Sequence, residues 1–272
     1  MITLYDDIKV FKTLQSLENQ SLKPDEIILA DGGSPECFVN LLKFIIKQYD
    51  NVVFKSYPGT ICQTRAQVIN KIKTDIIVFI DADETAPKDW LENLTKPIIE
   101  GTADFTGAKT KPRHYPKNKC EKFVNDFDDW AYENIVRKDI TANAMGNSAY
   151  SMKIFDKIGN FDTRMIDSED FDINLRAVEA GFKGKYVANA WVWHDQSHVD
   201  TLWKLISRKY RYSVGSTIVY LKHKDIKRRS KNAVKVSLFG YKHPIELFFI
   251  LVKGVAFVKG YIDWRRKFSD NN

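Results

Sequence analysis

The chain has 272 residues, of which 44% are hydrophobic and 28% are charged. This balance excludes a disordered chain, and the length allows one catalytic core with a smaller appendage. The three cysteines, Cys37, Cys62 and Cys120, are far apart and form no C-x-x-C pair, which excludes a disulfide framework or a zinc site and is typical of a reducing compartment.

The first hundred residues alternate between short apolar runs and amphipathic stretches. Ile2–Tyr5 is predicted as the end of a first strand, and further strands are predicted over Glu26–Ala30, Val52–Phe54 and Asp75–Ile80. The predicted helices cover Asp7–Asn19, Glu36–Tyr49, Gln63–Ile72 and Lys88–Ile99. This alternation predicts parallel βαβ units, whose ligands bind at the carboxyl ends of the strands. Asp31 and Asp81 follow two of these strands, so we expect both carboxylates at one rim of the sheet.

The pattern is irregular from about residue 101 to 150 and then becomes regular again. A helix is predicted over Glu169–Ala180, followed by short strands at Tyr186–Ala188 and Trp191–Trp193 and by a helical part after Asp200. We predict a catalytic domain over residues 1–200, with a nucleotide-binding half at about 1–100 and an acceptor half at about 101–200. Residues 201–272 are predicted to form a helical, basic extension that associates with membranes.

Most of the positive charge lies in that extension. The net charge of the chain is +7, yet residues 203–272 carry 17 Lys and Arg against 4 Asp and Glu. Aromatic residues interleave with this charge in Trp203–Tyr212, and a second basic run covers Lys222–Lys231. Such a tail indicates an anionic partner, either lipid headgroups or nucleic acid, or else a solvated helical face.

The longest apolar stretch, Ile245–Ile262, also lies in the extension. Glu246, Lys253 and Lys259 interrupt it, and buried charges of this kind are costly in lipid. We therefore expect an interfacial helix or one docked on the core. No basic segment followed by an apolar run opens the chain, so no signal peptide is predicted.

The strongest chemical signal is Asp81-Ala82-Asp83, directly after the apolar run Ile76–Ile80. Two carboxylates one residue apart can converge on a divalent ion if the backbone turns there. Mg²⁺ and Mn²⁺ prefer oxygen ligands and often share their coordination shell with substrate phosphates. Such an ion can neutralise a departing diphosphate.

These residues belong to a series of motifs that resembles the family 2 glycosyltransferases with the GT-A fold. The resemblance covers roughly residues 2–200 and implies an α/β, Rossmann-like, mostly parallel sheet flanked by helices. The matching segments are Ile28–Ser34, Thr64–Ala66, Ile80–Glu84, Gly146–Asn147, Ile158–Asp162, Glu169–Asp170, Arg176, Ala180–Phe182 and His194.

The resemblance implies roles for the donor side of the site. Asp31 would contact the base or ribose, and Arg65 would lie near the base and diphosphate. Asp81 would face the ribose and the metal's water shell, and Asp83 would bind the metal directly. The other positions assigned to the nucleotide-sugar are Thr3, Tyr5, Asp7, Ala82, Gly146 and Asn147, of which the last two could also form a plain turn.

On the acceptor side, Asp170 resembles the family's general base, with Glu169 beside it. A base needs hydrogen-bond reach of the acceptor hydroxyl and must be ionised. One displacement would invert the anomeric centre, and no separate motif supplies a nucleophile for a retaining route. Alternatively, Asp170 is an acid favoured by the helix dipole.

His194 follows a predicted strand and, by the same resemblance, would complete the metal shell. A surface or core histidine is the alternative, His198 is a nearby competitor, and Asp195 could orient either ring. A basic loop, containing Lys109, Lys111, Arg113 and His114, could meet an acceptor phosphate, although a solvated loop is favoured.

Taken together, the sequence predicts a metal-dependent, inverting, hexosyltransferase-like enzyme that uses Mn²⁺ or Mg²⁺. Its donor would be a nucleotide-diphosphate sugar of the UDP or GDP type, and its acceptor a lipid-linked or polysaccharide precursor. The Gln-x-x-Arg-Trp segment of processive synthases is absent, which favours transfer of a single sugar. We expect a peripheral protein on the cytoplasmic face of the membrane that binds no nucleic acid.

Two alternatives belong to other classes. A nucleotidyltransferase can share paired aspartates on a nucleotide-binding sheet, but it would normally carry a glycine-rich basic loop where this chain has Tyr5-Asp6-Asp7. A non-catalytic nucleic-acid binder would explain the basic tail and its salt sensitivity, but not the paired aspartates.

Overall fold

The computed structural model describes residues 1–223 and 245–268. The helices are α1 (Val10–Glu18), α2 (Glu36–Ile45), α3 (Ile61–Ile69), α4 (Trp90–Ile99), α5 (Lys119–Ala131), α6 (Met152–Ile158), α7 (Glu169–Glu179), α8 (Leu202–Lys222) and α9 (Ile245–Phe268). The strands are β1 (Ile2–Leu4), β2 (Ile27–Asp31), β3 (Val52–Ser56), β4 (Ile76–Asp81), β5 (Glu84–Thr85), β6 (Phe105–Gly107), β7 (Thr110–Pro112), β8 (Asn147–Ser151), β9 (Gly184–Tyr186) and β10 (Val192–His194).

Seven strands form the central sheet, in the order β3-β2-β1-β4-β8-β6-β9. The first four are parallel, whereas β8 runs antiparallel to both β4 and β6. Helices cover the sheet, so the predicted mixed α/β fold with a mostly parallel sheet is confirmed. Short β1 lies at its centre, where Thr3 pairs with Ala30 on one side and Asp81 on the other.

Both faces of the central sheet are covered by apolar side chains. Trp90 and Leu94 of α4 close one face together with Ile2 and Leu29. On the other face, the ring of Phe79 packs edge-on against Tyr150 at 5.8 Å between centroids. Burial on both faces explains why β2 and β4 are nearly continuous apolar runs.

A smaller sheet, in the order β5-β10-β7, lies at the end of β4. Its antiparallel register places His194 opposite Glu84. This pairing brings residues from distant parts of the sequence beside the Asp81-Ala82-Asp83 turn.

The irregular region predicted for residues 101–150 contains β6, β7, α5 and β8. The sequence conceals these strands because β6 and β7 have only three residues each and β8 reads Asn-Ser-Ala-Tyr-Ser. All five residues of β8 are buried, so neither alternation nor hydrophobicity marks it. The strand predicted at Tyr186–Ala188 lies two residues earlier, as β9.

Helices α8 and α9 pack side by side and are called here the C-terminal helix pair. Phe249 lies near Lys209, and further along Phe268 lies near Lys222, so both helices run in the same direction. Within the described ranges, no helix combines the length and the apolarity that crossing a bilayer requires. The predicted division at residue 200 stays a prediction, and Lys222–Lys231 lies outside the described residues from position 224 onward.

Candidate functional site

The candidate site is built on a chain of ion pairs centred on the buried Arg65. This side chain is 2% exposed and donates from Nε to Thr3 Oγ1 at 3.1 Å. Its NH1 forms a short ion pair with Glu169, and its NH2 lies 3.4 Å from Asp81 Oδ1. One arginine therefore joins β1 and the end of β4 to the first residue of α7.

Glu84 is a site residue to which the sequence analysis gave no role. It is 1% exposed, accepts a hydrogen bond from the Asp81 amide at 3.0 Å, and lies 4.0 Å from His194 Nδ1. Burial, and then the charge of Asp81, raise the pKa of Glu84 well above its ordinary value. Its place in the Ile80–Glu84 motif was the available signal, but its contact with His194 depends on the smaller sheet.

Asp83 and His194, both predicted as metal ligands, lie close together, with 3.4 Å between Oδ1 and Nε2. His198 lies further out, 3.8 Å from Asp83 Oδ2 and half-exposed. Burial opposes the charge on both partners, but His194 lowers the pKa of Asp83, while Asp83 and Glu84 raise the pKa of His194 to about 9. The pair therefore holds opposite charges at neutral pH.

This pair suits a divalent cation that also takes ligands from its substrate. Within the described residues, no three His, Cys, Asp or Glu side chains converge on a ready-made metal centre. Mg²⁺ and Mn²⁺ sites commonly use one or two protein ligands together with phosphate oxygens, and imidazole with carboxylate is an acceptable donor set for Mn²⁺. Asp81, predicted as a further ligand, lies 3.4 Å from Arg65 NH2 and its side chain is 37% exposed, so its assignment to the metal stays a prediction.

Asp170 is the second residue of α7 and lies next to the Met145-Gly146 segment. Its Oδ1 accepts from the Phe171 amide at 2.7 Å and its Oδ2 from the Met145 amide at 3.3 Å. A Cβ at Gly146 would lie 2.4 Å from Asp81 Oδ2, so only glycine fits there. The Met145-Gly146 segment thus contacts Asp170 through the Met145 amide and packs against Asp81 at Gly146.

The environment of Asp170 suits a proton acceptor at neutral pH. Burial, followed by the negative charge of Glu169, raises the pKa of Asp170 to about 7. A base is most effective when its pKa lies near the working pH. The alternative, a helix N-terminal acid, explains the position of Asp170 but not its burial against Met145.

Two predicted contact residues are committed to the protein interior. Asn147, assigned to the donor sugar, is fully buried: it accepts from Trp90 Nε1 at 2.9 Å and donates to the Ala190 carbonyl at 2.9 Å. Glu169, assigned to the acceptor side, is buried against Arg65. In this structure neither side chain presents surface to a ligand, and both assignments stay predictions.

The predicted nucleotide edge is formed by two adjacent loops. Asp31 is 1% exposed and accepts hydrogen bonds from the Gly33 and Ser34 amides and from Ser56 Oγ, so it holds its own loop in shape. The Asp6 amide donates to Ser34 Oγ at 2.7 Å, which ties the first-strand segment to this loop. Three predicted positions remain. Tyr5 is exposed and Ala82 is buried. Asp7 accepts a hydrogen bond from the Lys9 amide.

The residues of the basic loop assigned to an acceptor phosphate each contact a different group of the protein. Lys109 Nζ lies 2.9 Å from Asp129 Oδ1, and Lys111 Nζ lies 3.7 Å from the Trp191 ring centroid. Arg113, which is exposed, donates to Thr85, and His114 Nδ1 lies 3.3 Å from Glu121 Oε1. Their role toward a phosphate stays a prediction.

The basic residues of α8 also contact groups within the protein. Arg208 donates to Gln196 and lies 3.7 Å from Asp128 Oδ2. Lys209 Nζ lies 3.4 Å from the Phe127 ring centroid, and Arg211 is paired with Asp167 at 2.8 Å. Arg208, Lys209 and Arg211 therefore contact the catalytic domain, whereas Trp203 is 75% exposed, and the role of the segment at a membrane stays a prediction.

Comparison with known sequences identifies the family. The pattern of glycosyl transferase family 2 matches residues 10–159, more than half of the chain. The pre-mycofactocin glycosyltransferase of Mycobacterium tuberculosis is 28% identical over 216 residues, which are 75% of this chain and 44% of that protein. The O-antigen chain rhamnosyltransferase RfbN of Salmonella typhimurium is 26% identical over 199 residues, 68% of this chain and 62% of that protein. The chain spans less than two thirds of either relative.

Solved structures agree on the fold. A mannosyltransferase from Pyrobaculum calidifontis, PcManGT, solved with GDP-Man and Mn²⁺, aligns with a TM-score of 0.65 over 96% of this chain and 72% of that one, at 13% identity. S. aureus TarS 1–349 aligns with a TM-score of 0.56 over 95% of this chain and 79% of that one, at 14% identity. These neighbours have the GT-A fold, and identities this low support the fold alone.

The family match and the fold together separate the three hypotheses raised by the sequence. Neither a nucleotidyltransferase nor a nucleic-acid binder accounts for a family pattern that runs from α1 to the end of α6 on a GT-A sheet. This chain belongs to glycosyl transferase family 2.

Proposed function

We propose that the enzyme transfers one sugar from a UDP- or GDP-type nucleotide sugar to an acceptor hydroxyl, with inversion and with a divalent cation. The observation that carries this proposal is the Arg65 ion-pair chain. It fixes Asp81, at the donor edge, to Glu169, next to Asp170. Donor edge and base are thus parts of one rigid unit, as a direct displacement requires.

In the proposed reaction, Asp170 takes the proton of the acceptor hydroxyl while that oxygen attacks the anomeric carbon. The bond from this carbon to the diphosphate oxygen breaks as the new glycosidic bond forms. A double displacement would need a second free carboxylate as nucleophile. The adjacent Glu169 is buried in an ion pair and Asp167 is paired with Arg211, which favours the single displacement.

Asp83 and His194 would hold the cation, whose contribution when bound is to offset the charge of the departing diphosphate. Their opposite charges at neutral pH follow from their mutual contact, and a divalent ion would take the place of the imidazolium proton. Relatives support this proposal, since PcManGT was solved with GDP-Man and Mn²⁺ and TarS with UDP.

A thermal-shift screen tests the donor and the cation together. UDP-, GDP- and dTDP-sugars are each added with and without Mn²⁺, and the true donor should raise the melting temperature most. At 100 times its dissociation constant, a ligand stabilises the fold by about 2.7 kcal/mol. Asp83→Ala should lose the part of the shift that depends on Mn²⁺, whereas the exposed control Asp25→Ala should keep it. An Mn²⁺-dependent shift that survives in Asp83→Ala would exclude Asp83 as a ligand.

We also propose that α9 holds the enzyme on an anionic membrane, where a lipid-linked acceptor would be found. One face of α9, with Phe249 and Ala256, is buried. The opposite face is called here the outer face of α9, and its side chains are 41–70% exposed. Its members are Ile250, Leu251, Val255, Phe257, Val258, Tyr261 and Ile262. A helix that is apolar all round is normally covered on all sides.

Charge favours a lipid surface over a second copy of the chain as the cover. Arg266 and Lys267 are exposed on the same helix, and two copies would bring these like charges together, whereas Lys259 is paired with Asp263. Anionic headgroups would pair with them, each contributing about 1 kcal/mol near the surface.

Vesicle sedimentation tests this proposal. The protein should pellet with vesicles that contain phosphatidylserine, pellet less with pure phosphatidylcholine, and be released by high salt. Leu251→Asp with Val258→Asp should reduce sedimentation strongly, whereas Phe44→Asp, at an equally exposed site on α2, should not. Equal sedimentation of the double variant would show that the outer face does not contact lipid.

A further inference from the structure

The segment that leads into α7, residues Asp162–Ser168, is called here the base loop because it ends two residues before Asp170. Met165, in the middle of this loop, is fully buried. It lies in an apolar cluster with Val214 and Ile218 of α8 and with Ala256 and Phe268 of α9. The base loop therefore packs on the C-terminal helix pair.

Charged contacts fix the base loop to the same two helices at three further points. Arg211 Nε lies 2.8 Å from Asp167 Oδ2, and Lys222 Nζ lies 2.8 Å from Asp162 Oδ2. The guanidinium of Arg164 lies 4.2 Å from the centroid of the Phe268 ring. Both ends and the middle of the base loop therefore contact the C-terminal helix pair.

The closest approach occurs at Gly215 of α8. A Cβ at this position would lie 2.6 Å from Ser168 Oγ and 3.0 Å from the carbonyl carbon and oxygen of Asp167. Ser168 itself has a φ of +61°, a left-handed conformation that a serine adopts only when its surroundings enforce it. Helix α8 therefore touches the one strained residue from which α7 begins.

A second close approach connects α9 to α8. A Cβ at Gly260 would lie 2.7 Å from Thr217 Cβ and 2.9 Å from the Val214 carbonyl oxygen. In contrast, nothing lies within 4 Å of a Cβ at Gly254, on the same helix. Through these two close approaches, α9 contacts α8 at Gly260 and α8 contacts the base loop at Gly215.

We propose that α8, backed by α9, is a positioning element for Asp170, acting through Gly215, Arg211 and the left-handed turn at Ser168. This inference rests on the proposed role of Asp170 as the base. The helix pair reaches Asp170 through the base loop and through α7 itself, since Lys222 Nζ also lies 2.8 Å from Asp172 Oδ1. The C-terminal helix pair is then part of the catalytic unit as well as the proposed membrane surface.

Gly215→Ala tests this inference, with Gly254→Ala as the matched control. The new methyl group at position 215 should push Ser168 and Asp167 away and displace Asp170. Misplacement of a catalytic group by about 1 Å can cost 10²-fold in rate, so we expect turnover to fall roughly 10–100-fold with an unchanged KM for the donor. Gly254→Ala should leave turnover unchanged.

The probe for turnover is release of the nucleoside diphosphate from whichever UDP-, GDP- or dTDP-sugar stabilises the wild type most, with water as the acceptor. Hydrogen exchange gives a second readout: amides of residues 162–170 should exchange faster in Gly215→Ala while those of β1, β2 and β4 stay protected. Adding Ser168→Gly to Gly215→Ala removes the closest clashing atom and should restore part of both signals.

Each outcome decides the inference. Unchanged exchange in residues 162–170, or a uniform increase over the whole chain, would overturn it, since the helix pair would then contribute only to general stability. Faster local exchange with a higher KM and unchanged turnover would also overturn it. If no UDP-, GDP- or dTDP-sugar stabilises the wild type with or without Mn²⁺, the proposed function fails, while the exchange data still decide whether α8 holds the base loop.

Discussion

Asp170→Asn is expected to lower sugar transfer by about 10²–10⁴-fold, the usual contribution of a positioned base. The amide has nearly the shape of the carboxylate but cannot take the acceptor proton. Donor binding should be preserved, because the contacts of Asp170 are with the Met145 and Phe171 amides, away from the Asp83–His194 pair. Initial rates and the donor-induced thermal shift measure the two effects separately.

The same residue should control the pH dependence. A base must be ionised, so activity of the wild type should rise with pH through about 7, the value to which burial raises the pKa of Asp170. The sign for stability is the opposite. Because folding raises this pKa, ionised Asp170 destabilises the fold increasingly as the pH rises from about 4, the value for an unfolded aspartate, to about 7.

It follows that Asp170→Asn should melt at the same temperature as the wild type, or higher, at pH 8. Loss of transfer without loss of stability separates a catalytic role from a structural one. Transfer retained at a wild-type rate, or a pH profile that stays flat between 6 and 8 in the wild type, would exclude Asp170 as the base.

Arg65→Met should cause the largest loss of stability. The arginine and Glu169 have side chains that are 3% and 7% exposed, so its removal leaves a buried carboxylate without a partner. Breaking one side of a buried ion pair costs about 3–5 kcal/mol. For a chain of this size the melting temperature should fall by roughly 6–20 °C.

The double variant Arg65→Met with Glu169→Gln is the informative comparison. Removing the stranded charge should recover much of the lost stability, and the coupling between the two sites should exceed that of distant pairs. Activity should stay low, since Asp81 also loses its partner. A double variant as unstable as Arg65→Met would show that Thr3 or Asp81, and not Glu169, accounts for the stability that Arg65 provides.

Elements with strong local signals could be predicted from the sequence. The apolar runs of β2 and β4 are buried on both faces, and this burial leaves a continuous pattern that no tertiary information is needed to see. Parallel strands end at one rim, so the common location of Asp31 and Asp81 followed from the same pattern. Family resemblance then extended the prediction to the contact between Asp83 and His194.

Roles that depend on what a side chain faces could not be predicted in this way. Asn147 and Glu169 have the chemistry of ligand-binding residues, yet packing directs one into the core beside Trp90 and the other onto Arg65. Motif matching conveys the position of a residue along the chain but not the direction of its side chain. The packing contacts of the basic residues of α8 could not be predicted for the same reason, because the rings and carboxylates that they contact come from distant segments.

Local burial patterns and strand direction were therefore sufficient to predict the parallel strands β1 to β4 and the rim on which Asp31 and Asp81 lie, and the motifs were sufficient to predict the family. Which of these carboxylates lie in ion pairs depends on the tertiary structure. Arg65 pairs with Asp81 and Glu169, and the helix pair holds the base loop, which leads into Asp170 in α7. The contact of Arg65 with Glu169 and those of the helix pair with the base loop join residues 44 to 104 positions apart, so no local pattern in the chain encodes them.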